Sequence, residues 1–158
     1  MNTEHVPKID YLANRKEFIP LLSDWLIEEW KEWYGITGPG DAESDLRSAA
    51  RLETLPIGLV ATFDETLVGY INLKHEPIEG YRDFGPWAGA VLVHPAARGR
   101  GIGTLLVQHL EDVARNLGYT SVYSGNRTHT GIMKRNNWLH AGSSLHNQEL
   151  IYVYHKAL

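Results

Sequence analysis

The spacing of apolar residues in the first third of the chain predicts one short strand and two helices. Residues 9–12 are mostly apolar and have the length of an opening strand. From Pro20 to Tyr34 apolar side chains recur at helical intervals, which predicts a helix that stops at Gly35. Asp41 is suited to be the N-cap of a second helix with a weaker apolar stripe.

Clearer patterns follow in the middle of the chain. Alternating apolar residues over 57–63 and 67–73 predict two strands joined by a short turn, an antiparallel hairpin. The nearly unbroken apolar run 87–93 has the length of a buried strand. Apolar residues then recur at helical spacing over 101–117, and Gly118 supplies the left-handed residue that commonly follows a helix.

The remainder of the chain predicts three strands and a weak helix. Residues 120–123, 138–141 and 150–154 have strand-like composition, and 128–136 is weakly helical. The pattern as a whole predicts an α/β protein of the α+β type, with a twisted mixed sheet of about six to seven strands flanked by about four helices. The length is that of one domain, so we expect residues 1–158 to fold as a single unit.

The stretch between the strand at 87–93 and the following helix carries the strongest functional signal. Gly99, Gly101 and Gly103 stand where the strand gives way to the helix. Glycine has no Cβ, so backbone N–H groups at a helix N-terminus can approach an anion closely. Arg98 and Arg100 add positive charge at the same place. The pattern predicts a cradle for a diphosphate; the alternative is a surface turn with solvated arginines.

Two common phosphate-binding motifs do not fit this stretch. The dinucleotide fingerprint is G-x-G-x-x-G with an acidic residue about twenty positions later, whereas this chain has G-x-G-x-G and carries Val122, Tyr123 and Ser124 at that place. The Walker loop does not fit because no Gly-Lys-Ser/Thr follows. A nucleotide-binding domain of another kind stays open only if a dinucleotide is the preferred ligand.

Composition narrows the functional classes further. The formal net charge of −4 argues against a general nucleic-acid or anionic-membrane binder, and no apolar run approaches the length of a membrane span. The first residues lack the pattern of a signal peptide, so we expect a cytoplasmic protein. The absence of cysteine excludes disulfides, thiolate metal sites and an enzyme-bound thioester. The 8 histidines show no metal-binding spacing, so we expect no metal site.

Arg98-x-x-Gly101-x-Gly103, placed after the Val93-His94-Pro95 strand exit, resembles the acyl-CoA-binding signature Q/R-x-x-G-x-G/A of the GNAT superfamily of N-acyltransferases. The resemblance extends in order from about Pro86 to Trp138. It implies that the two central strands are parallel and splay apart to admit acetyl-CoA, the implied cofactor. It also implies transfer of an acetyl group to a primary amine by direct attack.

The same resemblance implies how the cofactor is held. The family places the pantetheine arm against the splayed end of the central strand and the diphosphate on backbone N–H groups of the turn. Asn126 matches an asparagine that contacts the cofactor in the family, although a turn after Gly125 also explains it. The implied cofactor contacts are Val91, Leu92, Val93, Arg98, Gly99, Arg100, Gly101, Ile102, Gly103, Thr104 and Asn126.

A base is needed to take the proton from the attacking amine, and the strand at 87–93 contains no carboxylate. The family often uses a Glu or Asp near the central strands. Glu76 and His75, at the exit of the neighbouring strand, are the nearest candidates for this base, and Asp83 in the following loop is the third. Histidine is attractive because an ordinary imidazole titrates near neutral pH.

The family's general acid is a tyrosine seven residues after the matched asparagine, and this chain has Met133 there. A nearby glycine of the family motif is likewise replaced, by Asn137. His129, Tyr123 or Ser124 is a candidate substitute for the acid, with His129 preferred. The thiolate can also leave without an acid, or the protein has retained binding and lost catalysis.

The acceptor is the least defined part of the prediction. By resemblance, the first two helices and their connection line the acceptor site, so Trp33 and Tyr34 are candidates for substrate contact; packing of a tryptophan stripe in the core is the alternative. The acceptor is a small amine, an antibiotic-like amine or a protein N-terminus. The alternative function is a catalytically degenerate acyl-CoA-binding sensor or interaction module. The last strand is also suited to pairing across a homodimer.

Overall fold

One mixed sheet forms the centre of the structure. The structure is a computed structural model, and it describes residues 6–76, 78–127, 131–146 and 148–158. Its strands are β1 (Lys8–Tyr11), β2 (Ile57–Phe63), β3 (Thr66–Lys74), β4 (Trp87–Val93), β5 (Ser121–Asn126), β6 (Leu139–His146) and β7 (Glu149–Ala157). Their order is β1-β2-β3-β4-β5-β7-β6. Only β4 and β5 are parallel neighbours, and the other pairs are antiparallel. The predicted fold class is confirmed.

The helices flank this sheet. They are α1 (Ile19–Glu29), α2 (Lys31–Tyr34), α3 (Ala42–Ser48), α4 (Ile102–Asn116) and α5 (Gly131–Arg135), with 3-10 turns at Leu12–Asn14, Lys16–Phe18 and Pro95–Ala97. None of these helices is long and apolar enough to cross a membrane.

The prediction of one continuous helix from Pro20 to Tyr34 is wrong. Trp30 adopts φ −126° and ψ 60°, which lies outside the helical region, and separates α1 from α2. The Trp30 N–H still closes α1 on the Leu26 carbonyl (2.9 Å), while the Trp30 carbonyl accepts the Tyr34 N–H (2.8 Å). The break keeps the Trp30 indole packed against the core beneath α1.

Strand lengths follow the side-chain pattern in the middle of the chain and depart from it at the end. The β2–β3 hairpin is closed by Asp64 and Glu65, whose positive φ values (44° and 68°) match the tight turn that suits strand twist. β6 continues to His146, well past the predicted end at 141, because it pairs with β7 along its length. Cross-strand hydrogen bonds with β7 therefore extend β6 across the polar residues Ser143 and Ser144.

The two faces of the sheet carry separate hydrophobic cores. On one face α4 packs so closely on β3 that a Cβ at Gly69 would lie 2.9 Å from Leu106 Cδ1 and 3.1 Å from Ile102 Cγ2. Leu106 is fully buried in this core. On the opposite face α1 and α3 form the second core, whose buried members include Leu22, Leu26, Leu46, Val60 and Tyr70.

The parallel strands β4 and β5 pair at only two positions and then separate. Trp87 is opposite Tyr123, and Ala88 is opposite Ser124, with no further pairs between these strands. β4 continues for five residues beyond this point, so its remaining edge faces a gap in the sheet. Parallel neighbours of this length ordinarily pair throughout. The predicted splay is confirmed, and it opens toward the end of β4 that leads into the glycine-rich turn.

A bulge in β4 accompanies the splay. Ile71 pairs with Val91 and Leu73 pairs with Ala88, so an advance of three residues along β4 lies opposite an advance of two residues along β3. The extra residue reverses the alternation of side chains, and Ala88 and Val91 both pack on the α4 face. A Cβ at Gly89 would collide with the Asn72 amide across the pair, which explains glycine at the bulge.

Leu106→Ala is expected to lower the free energy of unfolding by about 2–5 kcal/mol, because it removes a fully buried side chain at the α4–β3 contact. Leu139→Ala is the matched control, since Leu139 is 64% exposed on β6, and a change within about 0.5 kcal/mol is expected. Chemical denaturation at 25 °C measures both. Equal losses in the two variants would contradict the described core.

Candidate functional site

The turn between β4 and α4 requires glycine at two positions. Gly99 (φ 80°) and Gly101 (φ 76°) lie in the left-handed region that side-chain-bearing residues rarely adopt. A Cβ at either position would meet no atom within 4 Å, so the space over the turn is open. The two glycines therefore allow the backbone conformation of the turn, and they leave its surface accessible to a ligand.

The first turn of α4 presents unpaired N–H groups at this surface. The Leu105 N–H donates to the Gly101 carbonyl (3.0 Å), which is the first intrahelical bond. The N–H groups of Ile102, Gly103 and Thr104 precede it and have no intrahelical acceptor. Together with the dipole of a 15-residue helix they form a site that favours an anion.

Two arginines flank the turn in different ways. Arg98 Nε donates to the Val93 carbonyl (3.2 Å), which ties its guanidinium to the end of β4. Arg100 lies over the Phe63 ring, with Cζ 5.9 Å from the centroid. Beside Arg100 is a cavity of about 490 Å³ that also borders Gly101 and Thr104. The predicted positive charge is thus present at the turn, with one guanidinium against the end of β4 and the other against Phe63.

The open edge of β4 directs only some of its backbone groups into the gap. The His94 N–H donates to the Val68 carbonyl of β3 (2.8 Å), so Leu92, two residues earlier, also turns its N–H and C=O toward β3. Val91 and Val93 turn theirs toward β5, where the strands have separated. Val91 and Val93, and not Leu92, are therefore the strand residues whose backbone can contact a ligand arm.

Asn126 ends β5 at the other side of the gap. Its Nδ2 donates to the hydroxyl of Ser124 (3.1 Å), and its side chain is half-buried. Behind it, Gly103 of α4 packs against Ile132 of α5, where an added Cβ would lie 3.0 Å from Ile132 Cδ1. Apart from Leu92, the predicted cofactor residues thus lie on β4, the turn, α4 and β5 around one gap in the sheet.

Glu76 lies on the opposite face, just beyond the end of β3, and both of its carboxylate oxygens are engaged. Lys74 Nζ lies 2.7 Å from Oε2, and His146 Nε2 lies 3.1 Å from Oε1. The Glu76 side chain is 21% exposed and that of His146 is 24% exposed. His146 therefore faces the carboxylate through Nε2, which leaves its other ring nitrogen, Nδ1, outside this contact.

Tyr34 and Asp45 lie near this carboxylate. The Tyr34 hydroxyl donates to Asp45 Oδ2 (2.7 Å), which joins α2 to α3. Burial raises the pKa of the Tyr34 phenol, with further contributions from the hydrogen-bonded Asp45 and from the Glu76 carboxylate. We use the name acidic groove for Tyr34, Asp45, Glu76 and His146, which are linked by the Tyr34–Asp45 hydrogen bond, the Glu76–His146 contact and the electrostatic effect of Glu76 on Tyr34. Its phenol is a hydrogen-bond donor at neutral pH and is excluded as a base.

Trp33 and Tyr70 border the same region. The Trp33 side chain is 42% exposed, and a Cβ at Gly40 would collide with its indole, so the loop after α2 packs tightly on that ring. Tyr70 is fully buried, and burial raises the pKa of its phenol. Asn72, which hydrogen-bonds Tyr70, has a buried Oδ1 with no hydrogen-bond partner among the described residues.

The remaining catalytic candidates are placed less favourably. His75 is exposed. Tyr123 packs in an aromatic cluster at the closed end of the gap, with its ring centroid 5.3 Å from those of both Phe84 and Trp87. His129 lies outside the described residues. Met133, at the position of the family's tyrosine, is buried in the core beneath α4.

Sequence reasoning missed Asp45 and His146 as members of the site. Asp45 lies on a short helix among several other polar residues, so nothing in the sequence distinguishes it. His146 is separated from Glu76 by 70 positions in the sequence. The signal that brings His146 to Glu76 is the length of β6, which the side-chain pattern underestimates. Within the described residues no group of three or more His, Asp and Glu side chains is arranged to hold a metal ion.

Comparisons with known proteins agree with this geometry. The model of the acetyltransferase (GNAT) family matches residues 19–131. A comparison with curated protein sequences finds no match.

Solved structures share the fold at low sequence identity. An aminoglycoside 6'-acetyltransferase type Ii superposes with a TM-score of 0.74 at 21% identity, over 95% of this chain and 96% of that one. A ribosomal-protein-alanine N-acetyltransferase from Brucella melitensis gives 0.71 at 20%, over 96% and 99%. A GNAT family N-acetyltransferase from Escherichia coli in complex with CoA gives 0.62 at 18%, over 98% and 84%.

Gly101→Val is expected to weaken coenzyme A binding by at least about tenfold, because a branched side chain disfavours φ 76° and covers the open turn. Gly118→Val is the matched control: Gly118 also has positive φ (93°) and open space, but it follows the other end of α4. Calorimetric titration should show weaker binding only in the first variant. Equal affinities would contradict the cradle.

Stability is expected to fall as the pH rises above about 10, the ordinary pKa of tyrosine. Burial raises the pKa of the Tyr70 phenol in the folded protein. Above about pH 10 this tyrosine therefore ionises in the unfolded chain while it stays neutral in the folded protein, and the free energy of unfolding falls. Tyr70→Phe should flatten this alkaline decline. Urea denaturation from pH 8 to 11 measures it; identical slopes for both proteins would contradict the assignment.

Proposed function

The chain belongs to the acetyltransferase (GNAT) family, whose model covers most of its length, and on that premise we propose that it transfers an acetyl group from acetyl-CoA to a primary amine. The observation that carries the proposal is the gap between β4 and β5, which opens onto the glycine turn. The gap places a strand edge and a helix N-terminus along one path. An extended thioester ligand with a diphosphate at one end suits that path.

The residues present fit acetyl-CoA. The N–H groups of Ile102, Gly103 and Thr104 suit the diphosphate, with Arg98 and Arg100 on either side. The open space over Gly99 and Gly101 admits it without displacing a side chain. On the strand side, the backbone of Val91 suits the amide groups of the pantetheine arm, and the Asn126 amide lies across the gap. Acetyl-CoA supplies an activated acyl group with a thiolate leaving group.

The acidic groove supports a cationic acceptor. Asp45 and Glu76 bring two carboxylates to one surface, and an amine acceptor is an ammonium ion before it reacts. Three of the structures with this fold are named aminoglycoside 6'-acetyltransferases, and aminoglycosides as a chemical class carry several amino groups. We infer that a small amine with more than one positive charge suits this groove better than a neutral peptide terminus. Trp33 offers an exposed indole beside it.

Proton transfer in the proposed reaction depends on Glu76. An ammonium must lose a proton before its nitrogen can attack a carbonyl, and Glu76 is the partly buried carboxylate of the groove with a histidine in contact. Attack is direct, since no cysteine is available to carry the acyl group. For the leaving thiolate, the Tyr123 and His129 hypotheses stay predictions, and departure without an acid stays the alternative.

A binding module is the second candidate function. The observation that favours it is Met133, which fills the core at the position of the family's usual acid. Such a module would retain the cradle and bind acyl-CoA without turnover. The prediction that the last strand pairs across a homodimer is wrong, because β7 lies inside the sheet between β5 and β6. Homodimer formation itself and a cytoplasmic location stay predictions.

A panel of mono-, di- and polyamines with acetyl-CoA separates the two functions. We expect release of free thiol that requires both the protein and an amine, with an acetylated amine detected by mass spectrometry. Rates should be higher for polyamines than for monoamines, because the groove has two carboxylates. The control is coenzyme A binding by calorimetry. Binding without any acetylated product would contradict the enzyme and support the module.

A further inference from the structure

Glu76 is in contact with a histidine whose second ring nitrogen lies outside that contact. Lys74 Nζ lies against Oε2 of the carboxylate, and His146 Nε2 lies against Oε1. A neutral imidazole with its proton on Nε2, the nitrogen that faces the Glu76 carboxylate, carries its lone pair on Nδ1. The unprotonated atom of this group is therefore His146 Nδ1.

The β3–β4 loop and β6 are fixed to each other, which makes the contact a built arrangement. The Ser144 hydroxyl donates to the Glu79 carbonyl two residues before His146 on β6. A Cβ at Gly142 would collide with the Tyr81 hydroxyl, so glycine lets the loop lie against the strand. Along β6, successive alternate residues Gly142, Ser144 and His146 therefore meet the loop.

Charged groups face the imidazole from the elements packed around it. From just beyond β3 the Glu76 carboxylate faces it, and Lys74 is paired to that carboxylate. From β7, Glu149 is opposite His146 in the strand register, with its carboxylate 2.7 Å from Arg127 Nε. The imidazole therefore has two carboxylates around it, and each carboxylate is paired with one cation.

We propose that His146 is the catalytic base that deprotonates the acceptor, and that Glu76 and Lys74 are positioning residues that hold its ring. This inference rests on the proposed function and assigns its proton transfer. The ammonium gives one proton to His146 Nδ1, and the freed nitrogen lone pair forms the bond to the acetyl carbon. The carbon–sulfur bond breaks and the sulfur keeps the electron pair. The attacking nitrogen, which still carries one proton more than an amide, releases it to the thiolate, and the imidazolium returns the first proton to solvent.

The test compares kcat against pH, from 5 to 9, for the full-length protein and single variants at saturating acetyl-CoA. The unmodified protein should show kcat rising with pH over this interval, because the base must be unprotonated to accept the proton. His146→Gln should lower kcat by about 10²-fold or more and remove this rise, with little change in the acceptor KM. Glu76→Gln should lower kcat but keep the rise, because the imidazole remains.

Chemical rescue separates a proton acceptor from a structural role. The His146 side chain is 24% exposed, so the space left by His146→Ala is accessible to small molecules. Added imidazole should restore the rate of His146→Ala in proportion to its concentration and should not restore that of Glu76→Gln. His109→Ala, which removes an exposed histidine from the middle of α4, is the control and should match the unmodified protein throughout.

Two results would overturn the inference. His146→Gln could keep the rise of kcat with pH, which together with loss of the rise in Glu76→Gln would make Glu76 the base, or imidazole could fail to rescue His146→Ala. Coenzyme A titration of each variant shows that it is folded. Absence of turnover by the unmodified protein with every amine would instead contradict the proposed function itself.

Discussion

The early end of pairing between β4 and β5 is the constraint on which the site depends. After Ala88 and Ser124 the two strands no longer bond, so the edge of β4 is left with N–H and C=O groups that need another partner. The bulge in β4 keeps apolar side chains on the α4 face while the strand turns away. Close packing at Gly69 then fixes α4, and with it the anion site, at the mouth of the gap.

Much of the cofactor side could be predicted from sequence because its signals are local. The apolar run 87–93 became β4 with those bounds, and Gly99 and Gly101 have the positive φ that only glycine adopts readily. Gly118 likewise follows α4 with positive φ. Each of these features is set by a few consecutive residues. The position of Leu92 was not predictable in this way, since its orientation depends on bonding to β3.

The acceptor side could be predicted only in part, because its residues meet through long-range pairing. Glu76 was found from its place after β3, but its partner His146 depends on the length of β6 and on contacts with the β3–β4 loop. The break at Trp30, which separates α2 from α1, had no signal in the apolar spacing. The two sides of the site thus differ in how they are encoded: short motifs hold the cofactor, and tertiary contacts assemble the groove.

A crystal structure of the protein with coenzyme A tests the central claim most directly. The account predicts the diphosphate within hydrogen-bond distance of the N–H groups of Ile102, Gly103 and Thr104, and the pantetheine arm in the gap beside Val91. The thiol should then point toward the acidic groove. A diphosphate bound elsewhere, or a gap closed by further pairing of β4 with β5, would contradict it.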